Sequence, residues 1–146
     1  AAAYAGRFAR RADAAATLVA RHAASELLRR CGLEVALERA RRVELLQARG
    51  EVLGPAAEAP GLDAKALGKA LRSFYSALFS DPTPAVAGIS DDDRKAAARL
   101  LAHATLAKAH GAIHALAADA GTGGYADDSF LVHSPAQVRV LLDVPE

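Results

Sequence analysis

With 146 residues, a formal net charge of +1, one cysteine and neither methionine nor tryptophan, the chain is long enough for one domain with a sizeable core. Its lone thiol, Cys31, excludes an internal disulfide framework and reads as a small buried residue of a reducing compartment. No apolar run approaches the roughly 18 residues of a membrane span, no stretch reads as a secretory signal, and 5% aromatic residues are too few for stacking on nucleic acid.

Alanine makes up about a quarter of the chain, while Val, Ile and the aromatics are sparse. That composition favours helix over sheet. Arginine outnumbers lysine 14 to 4, an excess we read as the coding bias of a GC-rich genome. The absence of methionine even at position 1, with the first residues already in helical register, leads us to expect a piece of a longer protein.

A first helix is expected from Ala3 to Cys31, with a broken apolar face of Tyr4, Phe8, Ala15, Leu18, Val19 and Leu28. Gly32 suits a left-handed C′ position, where it either breaks or kinks the rod. A second helix, Leu33 to Arg49, carries a stripe of Leu33, Val35, Leu37, Ala40 and Leu45 or Leu46. Residues 50–61 read as a loop on their Gly and Pro content. The third helix spans Asp63 to Ser80, lined by Leu67, Leu71, Phe74, Leu78 and Phe79, and ends at Asp81-Pro82-Thr83-Pro84. Ser90 is the expected N-cap of a fourth helix running to Ala118, with Asp91, Asp92 and Asp93 at its positive end. Its apolar side is Leu100, Leu101, Ala104, Ala107, Ile113 and Leu116. Gly121, Gly123 and Gly124 stop it. A short helix restarts at Ser134-Pro135, a good N-cap followed by a residue suited to the first helical position. Val138, Leu141 and Leu142 fall on one stripe, and so short a helix must dock to persist. Phe130 and Leu131 are expected to dock beside it as the chain returns along helix four. The fold class is all-α: an antiparallel helical bundle, one domain over residues 1–146, with a docked C-terminal helix.

Reactive constellations are few. His110 and His114 stand at i and i+4, with His103 seven residues before His110, but no acid or thiol joins them. We expect hydrogen-bonded or partly exposed helical histidines whose replacement by alanine leaves the fold standing, and no metal. Gly121-Thr122-Gly123-Gly124 follows a helix and lacks a Gly-Lys-Ser/Thr ending, so it reads as a helix stop, not a phosphate loop. Asp91-Asp92-Asp93 lacks the alternation of a calcium loop. No nucleophile elbow or recognition-helix pattern occurs, so neither an enzyme nor a nucleic-acid binder is expected, and no cofactor. Charge is uneven. Residues 1–50 hold ten arginines against five acids, and residues 51–146 eight cations against twelve acids. Arg7, Arg10, Arg11 and Arg21 are therefore the candidate interaction surface, for an acidic partner or anionic lipid.

Several segments in order carry a resemblance: Ala24-Ser25-Glu26-Leu27-Leu28, Cys31-Gly32-Leu33, Phe74-Tyr75-Ser76-Ala77-Leu78, and above all Tyr125-Ala126-Asp127-Asp128 with His133-Ser134-Pro135-Ala136-Gln137-Val138-Arg139 and Leu141-Leu142. Together they resemble the C-terminal region of the subunit 6 family of the conserved oligomeric Golgi complex. The family usually has Asp-Pro after the tyrosine, where this chain has Asp127-Asp128 with altered spacing. The resemblance implies the distal end of a helical-rod tether, without the family's N-terminal coiled-coil part. It implies a non-catalytic role in capturing vesicles at Golgi membranes and recycling glycosylation enzymes. It further implies peripheral attachment on the cytoplasmic face, with other tether subunits, SNAREs and Rab GTPases as partners. Two rival classes stay open: another helical-rod tether of the exocyst kind, and a small helical metal-binding or enzyme domain using His110 and His114.

Overall fold

A computed structural model describes residues 2–51, 54–119 and 121–145, with side chains from Gly6 onward. Among them are five α-helices and no strand: α1 (Ala2–Cys31), α2 (Leu33–Ala48), α3 (Ala64–Leu78), α4 (Asp92–Ala118) and α5 (Pro135–Leu141). Two 3-10 turns, Ala56–Glu58 and Pro84–Gly88, lie in the connections. Tyr4 and, in the 50–61 loop, Val52 and Leu53 fall outside the side chains described.

The helix ends follow local chemistry. Gly32 breaks the rod: its φ of 89° is left-handed, where a Cβ would be strained. Asp63 caps α3 by accepting the Ala66 N–H at 3.2 Å. Asp91, not Ser90, caps α4, accepting the Arg94 N–H at 2.9 Å and leaving Asp92 and Asp93 in the first turn. An Asp one residue closer to the helix displaces the serine because its carboxylate also meets the helix dipole. Ser134 caps α5 in a reciprocal box. Its Oγ accepts from Gln137 N at 3.2 Å, and the Gln137 Oε1 accepts from Ser134 N at 2.9 Å.

The core differs from the expected faces in one consistent way. In α1 the buried stripe is Ala16, Ala20, Ala23, Ala24, Leu27 and Leu28, whereas Phe8, Ala15 and Leu18 face solvent and Val19 is half-buried. In α4 the buried stripe is Ala98, Ala102, Leu106, Ala109, Ile113 and Leu116, with Leu100 and Leu101 outside it. Val35 and Leu45 of α2 and Phe79 after α3 are likewise exposed. The long contact between α1 and α4 brings alanine faces together. Small side chains let two backbones approach closely, and a Phe8 or Leu18 in that seam would force them apart. Larger residues fill the remaining centre: Leu33, Leu62, Leu67, Leu71, Phe74, Leu106 and Ile113 are fully buried.

Direction follows from the contacts. Leu62 lies against Tyr125 beyond the end of α4, Tyr75 meets His110, and Thr83 meets His103, so α3 runs antiparallel to α4. The connection from α3 to α4 carries the chain back along α1. Pro84 and Ala85 flank His22 to Arg30, and Gly88 to Asp91 flank Ala12 to Val19. An ion pair of 2.9 Å between Arg94 and Asp13 fixes the start of α4 beside the first half of α1. With buried faces on α1 continuing to Leu28 and on α4 to Ala117, these two helices run in the same direction.

The glycine loop after α4 does more than stop a helix. Its Thr122 and Gly123 carbonyls accept the Ala56 and Ala57 N–H groups at 2.8 and 2.9 Å, pinning it to the loop before α3. Gly124 has φ of 66°, and a Cβ there would overlap the Pro55 ring. Gly124→Ala is therefore expected to destabilise the chain by about 2 kcal/mol, from left-handed strain and the displaced proline. Chemical denaturation of the two proteins side by side measures it.

Candidate functional site

Two regions collect the residues singled out from sequence. The first joins α3, α4 and the tail. His110 is fully buried, and its Nε2 lies 2.7 Å from the Tyr75 hydroxyl, which also reaches the His133 carbonyl at 3.4 Å. Among the described residues the Nδ1 of His110 has no partner. The tautomer that satisfies this network carries the proton on Nε2. His110 then donates to Tyr75, Tyr75 donates to the His133 carbonyl, and only a lone pair is left bare, where the other tautomer would strand a buried N–H. Phe74 stacks on the His110 ring at 5.8 Å, and the His133 ring meets Tyr75 edge-on at 4.8 Å. Burial, then the neighbouring His114 and His133, pushes the His110 pKa down to about 4.

Seven residues earlier on the same helix, His103 holds the other end of the tail. Its Nδ1 lies 2.9 Å from the Leu142 carbonyl, and its Nε2 lies 3.1 Å from the hydroxyl of buried Thr83. A carbonyl accepts only, so Nδ1 carries the proton and the threonine hydroxyl donates to Nε2. The C-terminal helix is thus bracketed by two held carbonyls, that of His133 before Ser134, bound by Tyr75, and that of Leu142 at its C-cap, bound by His103. Two of the three candidate metal ligands serve here as fasteners, His103 directly and His110 through Tyr75. Among the described residues no group of three His, Cys, Asp or Glu side chains is placed to share a metal. Replacing His110 by alanine would leave a cavity and loosen Tyr75, a stability cost that its place in the sequence did not indicate.

Of the docking residues expected in the tail, Val138 is fully buried and Leu142 almost so. Leu141 is 37% exposed, on the outer side with Val140. The helix is only seven residues long, so a pair spaced by four, Val138 and Leu142, already fills its inward face, and Leu141 falls 100° from Leu142. Phe130 and Leu131 are half-buried against the core. The return path crosses α3 instead of following α4: Phe130 lies over Gly68 and edge-on to Tyr125 at 5.2 Å, and Tyr125 donates to the Leu62 carbonyl.

Beside this crossing a groove of about 640 Å³ opens over Tyr75, flanked by Lys65, Arg72 and Asp127. Cys31 is half-buried, its Sγ 3.5 Å from the Leu28 carbonyl, and burial raises its thiol pKa. No family model, curated protein or solved structure matches the chain.

The second region is the outward face of α1. Arg7, Arg10, Arg11 and Arg21 are all exposed. At 100° per residue they fall within an arc of about 100°, opposite the buried alanine stripe. The ion pairs found among the described residues, Arg29–Glu26, Arg94–Asp13 and Arg94–Asp91, involve none of the four. Tyr75, Gln137 and Thr83 did not stand out as contributors in sequence. Only Gln137 carried a readable signal, three residues after a serine cap.

Proposed function

We propose that the chain is a non-catalytic protein-interaction domain, the distal end of a helical-rod subunit of a Golgi vesicle-tethering complex. In this reading it serves intra-Golgi retrograde transport and the retention of glycosylation enzymes. It sits on the cytoplasmic face of Golgi membranes through other tether subunits, SNAREs and Rab GTPases, and it has no cofactor. The observation that carries the reading is the tail. The segment with the most specific resemblance, Tyr125 to Leu142, is a fastened structural element with its own capping box and two buried anchors. Its distinctive residues thus have a packing reason to stay together, as a family signature would. The stiff alanine-seamed helices suit a rod, and no helix described is long and apolar enough to cross a membrane, which agrees with attachment through partners. Polar groups of the interior, Tyr75, His103 and His110, are spent on one another and on tail carbonyls.

Affinity capture of the tagged protein from its own cells tests the proposal. Co-purification of the other Golgi-tether subunits in stoichiometric amounts is the expected result. Recovery of plasma-membrane exocytic factors, or of no tether subunit at all, overturns it.

A further inference from the structure

The outward face of α1 has lost every acid it might have carried. The helix contains two, Asp13 and Glu26. Asp13 is turned toward α4, where its Oδ1 pairs with Arg94 at 2.9 Å. Glu26 is held by Arg29 of its own helix at 2.6 Å. What remains outward is Arg7, Arg11, Ala14, Leu18, Arg21 and Ser25, all exposed. Their spacings alternate between four and three residues, the seam along which one helix lies against another. At 1.5 Å per residue the seam is about 27 Å long. We propose that it docks an acidic amphipathic helix of another protein.

The composition of the seam selects that occupant. A second copy meeting it seam to seam would set arginine against arginine in either direction, with no acid in the seam to relieve it. A bilayer would require a broad apolar wedge between the cations. The seam has one large apolar side chain, Leu18, 65% exposed, and the next exposed one, Phe8, lies about 80° away around the helix. An acidic helix satisfies each position. Carboxylates three or four residues apart meet the guanidinium groups of Arg7, Arg11 and Arg21, which bind them in two-pronged pairs. An apolar residue covers Leu18, and the small Ala14 and Ser25 let the backbones close together. Arg10, one step to the side, adds to the field that draws such a helix in.

The inference names the partner chemistry of the interaction domain proposed above and rests on that part of the reading, not on its Golgi assignment. Three probes test it against the 146-residue chain: a synthetic five-turn helix with glutamates and a central leucine in the complementary register, the same composition with its glutamates moved to the opposite face, and phosphatidylcholine vesicles with and without phosphatidylserine. The matched helix is expected to bind saturably and at least about tenfold more tightly than the shifted one, less tightly as salt is raised. Arg11→Glu with Arg21→Glu is expected to weaken it by at least about tenfold, and Leu18→Asp to weaken it as well, with melting unchanged because all three residues are exposed. Equal affinity for the two helices, no binding, or charge-reversal-sensitive binding to phosphatidylserine vesicles alone overturns the proposal. The assay contains no tether subunit, so its failure leaves the affinity-capture result to stand or fall separately.

Discussion

Deleting residues 130–146 is expected to lower the melting temperature by roughly 10–20 °C, or to leave the chain insoluble. Val138 and Leu142 are 0% and 2% exposed, and full burial of such side chains stabilises by about 1.5–3 kcal/mol each. Phe130, Leu131 and Val144 add partial burial, and their removal uncovers the α3 and α4 surfaces beneath. The deletion also frees two anchors, the Tyr75 hydroxyl from the His133 carbonyl and His103 from the Leu142 carbonyl. Against a whole-domain margin of about 5–15 kcal/mol, a loss near 5 is large. Point variants locate the effect. Leu142→Asp buries a charge and is expected to do most of the damage. Leu141→Asp, on the outer side, is expected to do little, which reverses the importance its place in the sequence suggested. Arg139 is half-buried, and its enclosed Nε has no partner among the described residues, so Arg139→Ala removes packing and an unpaired group together and is expected to change stability by less than about 1 kcal/mol. Calorimetry of the deletion and the three variants checks the set. A deletion that melts with the intact chain would show a tail that contributes nothing to the bundle.

Acid is expected to weaken the fold through His110 before the carboxylates titrate fully. Its folded pKa lies at about 4, below the ordinary 6.5, because burial and the neighbouring His114 and His133 oppose a charge there. Over that window the unfolded chain binds a proton that the folded chain refuses, so stability rises with pH. The contribution is complete above about pH 6.5 and is lost as pH falls toward 4. Two and a half pH units at 1.36 kcal/mol each amount to about 3 kcal/mol. His110→Phe keeps a ring against Phe74 and removes the titration. Denaturant midpoints measured from pH 7 to 4 should fall steeply in the parent and much less in the variant. Parallel slopes would place the acid sensitivity elsewhere.

Local signals along the chain were enough to place the helices, the interruption at Gly32 and the capped start of the tail, though not whether that glycine breaks or kinks the rod. These rest on interactions within a few residues: the left-handed glycine at position 32, the Asp63 and Ser134 caps, and the prolines that end α3 and open α5. Which side of each helix is inside was decided only in the tertiary structure. Residue size misleads here, because α1 and α4 meet through alanines and leave Phe8, Leu18 and Leu100 in solvent. The Ala16, Ala20, Ala23 and Leu27 stripe has helical spacing and was legible in principle, but an alanine-rich sequence offers several such stripes and nothing local to choose among them. The histidines show the same division. Their spacing on one helix was plain. Their partners, Tyr75, Thr83 and the Leu142 carbonyl, stand 20 to 39 residues away and meet them only when α3, α4 and the tail close together. Hydrogen bonds across that distance leave no periodic trace in a sequence, so only the folded chain shows that His103 and His110 fasten its C-terminal helix.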